Sequence, residues 1–376
     1  MNTSKHSLFI LLIAFLCLPA SAFAQEEWSG VSKIVAIGDL HGDYDQYLQI
    51  LNDNQIINTE LKWQAGTTHL VQLGDIPDRG PDSLKIMRHL MSLAKQAKRK
   101  KGYVHTLIGN HELMNIKEDL RFVHPGEYES LVNKKSIRLQ SDYVKRLFDF
   151  YVRKDPLVKE NKQATIDKLK TKYPLGYVEH RFAWAPGGEI FKWVSRNNSV
   201  IKINKTIFAH GGISPHETLI PLHQINKRIR RSLRPKKTIA DEDPLIHDEG
   251  PLWYRGLALN NKDTELEPLI ALLKFYDADN IVVAHTPTAG AIIPRFDNRV
   301  ILADVGLAKA YGNARANLVI EDGRLYTMHR GNLVPLPDSE DQIVAYLIQL
   351  SKLDPAPSSL LNTITRLSKS DTAANQ

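Results

Sequence analysis

The sequence predicts an α/β protein with buried, largely parallel strands, a second mixed or antiparallel sheet and an inserted helical cap. Three observations predict this class. Short apolar runs at residues 34–37, 69–73, 104–108, 206–209, 281–284 and 300–303 have the length of strands rather than helices. The early runs alternate with helical patterns such as residues 83–98, so the first half reads strand, helix, strand, helix, strand. Strands that are apolar on both faces belong in parallel sheets covered by helices. Later, Asn204-Lys205 and Glu321-Asp322-Gly323 each make a turn between two strands, and these hairpins predict the second sheet.

The first 24 residues stand apart from this pattern. Lys5 supplies positive charge, residues 8–18 form an apolar stretch too short to span a bilayer, and Ala22-Phe23-Ala24 is a small-x-small cleavage site. The sequence therefore predicts a secretory signal over residues 1–24, a mature start at Gln25 and a periplasmic destination across the inner membrane. No later apolar run is long enough for a membrane span. The single cysteine, Cys17, lies within the leader. A mature chain without thiols has neither disulfides nor a cysteine nucleophile, which leaves metals, hydroxyls, imidazoles and carboxylates for any catalysis.

With 43% hydrophobic and 24% charged residues in 376, the chain has ordinary globular composition, and residues 25–367 read as one domain. Residues 115–181 change to long, charged, helix-favouring sequence with Tyr143, Leu147, Phe148 and Tyr151 at helical spacing, the pattern of an inserted cap. Residues 368–376 are small and polar and are expected to form a disordered tail. A net charge of +7, one less without Lys5, favours anionic partners. The densest basic run, residues 226–237, has no interleaved aromatics for base stacking. It reads as a solvated helix face, and no nucleic-acid partner is expected.

The strand ends carry the chemistry. Residues 34–37 run into Gly-Asp-Leu-His-Gly-Asp, 69–73 into Gly-Asp-Ile-Pro-Asp-Arg-Gly, 104–108 into Gly-Asn-His-Glu, 206–209 into His-Gly-Gly and 281–284 into His-Thr-Pro-Thr. In an open α/β sheet, residues just past the carboxyl ends of strands converge on one crevice. Asp39, His41, Asp75, Asn110, His210 and His285 are therefore expected to meet. Mixed carboxylate, amide and imidazole donors suit Mn, Fe or Zn better than the all-oxygen shells of Ca or Mg. One bridging carboxylate can hold two such ions about 3.5–4 Å apart, the geometry that activates water for attack on phosphorus.

These motifs, in this order, resemble the calcineurin-like metallophosphoesterases and specifically the phosphoprotein phosphatase branch. The finer similarity is to the Shewanella-like phosphatases, through residues 187–212, through Gly-Pro-Leu-Trp-Tyr-Arg-Gly at 250–256 and through Asp-Val-Gly-Leu-Ala-Lys-Ala-Tyr-Gly at 304–312. The resemblance implies a two-sheet β-sandwich core flanked by helices, and two divalent ions. Asp39 and His41 would bind the first ion, Asp75 would bridge, and Asn110, His210 and His285 would complete the second site. It further implies that Asp78 holds His111 as general acid and that Arg79 and Arg255, with Asn110, bind the phosphate. The implied reaction is direct attack on a phosphomonoester by a hydroxide bridging the ions. Phosphoprotein or phosphopeptide substrates, with a leaning to phosphotyrosine, are implied; small phosphomonoesters and nucleotide or diadenosine polyphosphates are the alternatives. Pro287, standing where related diesterases carry a further histidine, and Glu112, where many carry aspartate, both favour the phosphoprotein phosphatases.

Overall fold

Two six-stranded sheets meet through one continuous apolar cluster among the described residues. The structure is a computed structural model describing residues 25–217, 219–234 and 247–374; residues 1–24, for which a leader is expected, and the last three residues of the basic run lie outside the described residues.

The chain opens with a two-residue strand β1 (Glu27–Trp28) and then enters β2 (Lys33–Ile37), α1 (Tyr44–Asp53), β3 (His69–Gln72), α2 (Ser83–Arg99) and β4 (Tyr103–Thr106). Asp43 caps α1 by accepting the Gln46 N–H at 3.1 Å, which satisfies one of the free donors at a helix start. Helix α2 buries Ile86, Met87, Leu90, Leu93 and Ala97, a stripe at three- and four-residue spacing that turns its charges outward. Next comes the inserted segment: α3 (Asn110–Ile116), α4 (Pro125–Glu129), α5 (Ser136–Lys154), α6 (Lys162–Lys172), α7 (Tyr177–Trp184) and α8 (Glu189–Val194). Val144 and Phe148 of α5 bury with Leu169 of α6 in a small core of their own, and α8 is tied to α2 by the two-pronged Arg88–Glu189 pair. Helical structure thus runs past residue 181.

The remainder comprises β5 (Val200–Ile203), β6 (Thr206–Ala209), α9 (Leu222–Ser232), α10 (Gly256–Leu259), α11 (Lys262–Phe275), β7 (Asn280–Val283), β8 (Ile293–Arg295), β9 (Val300–Leu302), β10 (Ala316–Glu321), β11 (Arg324–His329), β12 (Asn332–Pro335), α12 (Ile343–Ser351) and α13 (Leu361–Ala374). One sheet has the order β12-β11-β10-β2-β3-β4, with β2, β3 and β4 parallel; the other has β1-β5-β6-β7-β9-β8, with β6, β7 and β9 parallel.

Both expected hairpins form, but they belong to different sheets. The one at Asn204-Lys205 lies in the second sheet, whereas β10 pairs antiparallel with β2, Leu318 opposite Ala36, and extends the first. Five successive buried residues in β10 need a neighbour along each edge, which periodicity within β10 does not identify. Near the carboxyl terminus α13 spans Leu361–Ala374, and its Ile364 and Leu367 pack on the main core.

The start of the basic run has a structural task. Ile225, Asn226 and Ile229 of α9 are buried while Lys227 and Arg231 face solvent. Asn226 Oδ1 accepts from the N–H groups of Ser199 and Val200 at 2.7 and 3.1 Å, and its Nδ2 donates to the Val200 carbonyl at 2.8 Å. Asn226→Ala leaves these buried backbone groups unpaired, so stability is expected to drop by about 2–4 kcal/mol, read as a lower urea midpoint.

Candidate active site

The site assembles at the carboxyl ends of six strands, three from each sheet. β2 delivers Asp39 and His41, β3 delivers Asp75, Asp78 and Arg79, and β4 leads to Asn110 and His111 at the start of α3; opposite them, β6 delivers His210, β7 His285 and β9 Asp304. Close approach of the strand ends excludes side chains at key points. A Cβ on Gly38 would lie 2.4 Å from the Ala303 carbonyl of the facing sheet, and one on Gly109 would lie 2.2 Å from Asp75 Oδ1. Glycine is the residue that permits such contact.

Two groups of ligand-capable atoms form, His41 with Asp75 and His111, and Asp75 with His210 and His285; within each group the atoms lie within 4.8 Å of one another. Asp75 is common to both. Asp39 stands 3.7 Å from ring nitrogens of both His41 and His210, and Asn110 Oδ1 faces His210 Nε2 at 3.0 Å. His41 and His210 bond backbone carbonyls of Pro77 and Leu73 through Nδ1 at 3.1 and 2.9 Å, which leaves Nε2 of each turned to the carboxylates. This is the orientation that metal-bound imidazoles require. Among the described residues, His285 Nε2 is buried without a hydrogen-bond partner.

The charges of the site also fit cations. Burial, followed by the charges of Asp304 and Asp75, pushes the Asp39 carboxyl well above its usual range. Burial likewise pushes Asp304 up to about 6. Burial and the neighbouring His210 push His285 down to about 2, so it is a neutral donor. Burial alone would raise Asp75, but His210 and His111 outweigh it and hold this carboxyl well below the usual range. Three carboxyls crowded in a dry site, with the neutral imidazoles of His41 and His285 beside them, are stabilised by divalent cations that supply the missing charge.

Beside this floor, His111 Nδ1 meets Asp78 Oδ2 at 2.5 Å, and Asn115 Nδ2 donates to Asp78 Oδ1 at 2.9 Å. Burial would lower His111, but the carboxylates of Asp75 and Asp78 raise it to about 9; cations at Asp75 would offset part of that rise. Arg79 and Arg255 both line the cleft, a cavity of about 340 Å³. Arg255 Nη1 donates to the His285 carbonyl at 2.7 Å and to Thr286 Oγ1 at 3.0 Å, which fixes the guanidinium beside the metal floor.

Strain marks the same residues. His41 (φ 42°), Asp75 (54°), Asp78 (74°), Arg79 (66°) and His285 (64°) all adopt left-handed backbone without being glycine. Each costs on the order of 1–3 kcal/mol unless the surroundings enforce it. For Asp75 the enforcing group is Glu112, whose carboxylate accepts from Asp75, Ile76 and Gly109 N–H at 3.0, 2.9 and 2.8 Å. For Asp78 it is Glu127 of α4, which accepts the Asp78 N–H at 2.8 Å, while the Arg79 N–H reaches the Phe122 carbonyl at 2.9 Å. The inserted segment therefore clamps the loop that carries Asp78 and Arg79.

All sequence-predicted site residues converge in this way. Sequence reasoning did not single out Asp304, although it follows an apolar strand just as the other five strand-end residues do. It also missed Glu127 and Phe122, which nothing in their local sequence marks.

Comparison with known proteins agrees with this geometry. The profile of calcineurin-like phosphoesterases matches residues 32–289. The chain belongs to that family. The calcineurin-like phosphoesterase relatives include an uncharacterised protein of Schizosaccharomyces pombe, 31% identical and spanning 81% of this chain and 82% of its own. They also include Shewanella-like protein phosphatase 2 of Arabidopsis thaliana, 30% identical over 55% of this chain and 53% of its own. Among solved structures, a cold-active protein-tyrosine phosphatase of a psychrophilic Shewanella superposes with a TM-score of 0.64 at 27% identity, covering 83% of this chain and 82% of its own. This calcineurin-like phosphoesterase is thus a metal-dependent phosphatase with the family's two-sheet fold.

Burial and the charge of Asp78 push Glu127 up to about 8, so its carboxyl is neutral at pH 7. Glu127→Ala is expected to cut kcat/KM roughly ten- to a hundredfold by loosening the Asp78–Arg79 loop, and Glu127→Gln, which keeps the accepting oxygen, is expected to restore most of it. Steady-state kinetics on an aryl phosphate compares the two.

Proposed function

We propose that this protein hydrolyses phosphomonoesters on proteins or peptides, with a leaning to phosphotyrosine, using two divalent ions held by Asp39, His41, Asp75, Asn110, His210 and His285. The observation that carries the proposal is the sharing of Asp75 between two ligand-capable groups, one with His41 and His111 and one with His210 and His285, in a cleft that two arginines line. Mn, Fe or Zn fits the mixed donors. When bound, two such ions neutralise phosphate charge and activate a water for in-line attack.

The chain's own residues do the rest. Arg79 and Arg255 offer paired N–H donors to the non-bridging oxygens and orient phosphorus. Asn110 adds a polar contact at the start of α3. Asp78 fixes the His111 ring through Nδ1, so Nε2 faces the leaving oxygen and delivers its proton. Asp304, in contact with Asp39, keeps that ligand in place. The Shewanella neighbour is named a protein-tyrosine phosphatase, which inclines the reading to phosphotyrosine. The leader-like pattern of residues 1–24 supports a reaction outside the cytoplasm; cell fractionation checks this.

Two tests apply. Chelation by EDTA is expected to abolish turnover, and added Mn or Zn to restore it in the unaltered chain but not in Asp75→Asn. Metal-independent turnover would remove the ions from the proposal. His111→Ala is expected to slow phosphoserine hydrolysis about 10²–10⁴-fold, and aryl phosphate hydrolysis far less, because a phenol (pKa about 10) leaves with less help. Equal losses on both substrates would contradict the acid role.

A further inference from the structure

We infer that Phe122 and Tyr311 form a ring-binding slot over the metal floor, one that accepts the aromatic leaving group of a phosphomonoester. The inference rests on the phosphatase reading above and assigns that preference to particular side chains.

The position of the leaving group follows from His111. Its Nδ1 is committed to Asp78, so the group to be protonated lies at Nε2, on the cleft side. Two aromatic rings stand there. Phe122 lies 5.4 Å from the His111 ring, Tyr311 lies 5.1 Å from the His41 ring, and the two histidines are 4.8 Å apart. Arg79 links the pair, with its guanidinium carbon 3.9 Å over Phe122 and 5.8 Å from Tyr311. The phosphate clamp and both rings thus border one space. Trp253 also lines the cleft, but it stands edge-on to His285 at 5.9 Å, on the side of Arg255.

Tyr311 has the marks of a binding residue rather than a packing one. It remains 39% exposed at the cleft wall. Yet its loop is firmly placed. Gly306 (φ 68°) has so little room that a Cβ would come within 3.0 Å of the Tyr311 carbonyl, and its N–H donates to Asp304 Oδ1 at 2.9 Å. An exposed ring on a fixed loop has little ordering entropy to lose on binding. With the Phe122 face held by Arg79, a phosphotyrosine ring would pack on the exposed Tyr311 ring and along the edge of Phe122 and keep the peptide backbone at the rim. A phosphoserine would draw the backbone itself toward the rings and leave the Tyr311 face uncovered.

The experiment compares the Mn-loaded chain with Tyr311→Ala and Tyr311→Phe on matched phosphotyrosine and phosphoserine peptides. Calorimetric binding of phenylphosphonate and methylphosphonate is measured in parallel. One aromatic contact is worth about threefold to tenfold, so Tyr311→Ala is expected to lower the phosphotyrosine-to-phosphoserine ratio of kcat/KM by that factor, chiefly through KM. The phenyl-to-methyl ratio of phosphonate affinities falls in step, and Tyr311→Phe keeps both ratios. Parallel losses on both peptides with an unchanged phosphonate ratio, or no ring preference in the unaltered chain, would overturn the slot. A chain that turns over no monoester would instead sink the phosphatase reading, and the phosphonate ratio would still decide the slot.

Discussion

Asp75 is the residue on which the rest of the site depends. Its backbone carbonyl accepts from both Leu40 and His41 N–H at 3.0 Å, its own N–H donates to Glu112, and its Oδ1 accepts the His111 N–H at 2.8 Å. Its other oxygen faces His210 across the sheet junction at 3.3 Å. Through this one buried residue, by backbone and carboxylate together, the ends of β2, β3, β4 and β6 are held in register. The left-handed backbone at Asp75 aims the carboxylate inward rather than along the strand, and three hydrogen bonds to Glu112 keep it so. A residue so constrained does not reorganise when charge develops nearby, which is the condition for electrostatic catalysis in a dry site.

The inserted helices have a comparable role at the next loop. Asp78 and Arg79 lie consecutively in left-handed conformation, a costly arrangement for residues with side chains. Glu127, Phe122 and Asn115, all from the segment between β4 and β5, supply the hydrogen bonds that enforce it. The segment therefore does more than cover the sheet: the acid, its carboxylate partner and one phosphate clamp all depend on it. Its outer part, α5 and α6, packs on a separate small core and makes none of these contacts.

How much of this was legible in the sequence depends on how local each signal is. Apolar runs followed at once by Gly-Asp, Gly-Asn, His-Gly or His-Thr mark strand ends and ligands together, so Asp39, Asp75, Asn110, His210 and His285 could be read directly. Asp304 carried the same signal at the end of β9 in a motif noted only for its resemblance. Glu127 carried none, because a glutamate early in a short helix looks like any solvated charge until the fold buries it against Asp78. The partner of β10 was equally hidden: the hairpin turn fixes β10 to β11, but pairing with β2 joins residues almost three hundred positions apart.

The sequence by itself determined the chemistry, since residue types and their places at strand ends specify a metal-binding crevice without any coordinates. Only the tertiary structure decided which carboxylate is shared, which histidine is left to protonate and which rings wall the cleft. Those depend on distances between chain segments remote in sequence and on burial, which shifts Asp39, His111 and Glu127 away from their ordinary protonation. Desolvation and close contact are properties of the packed chain, and no local pattern encodes them.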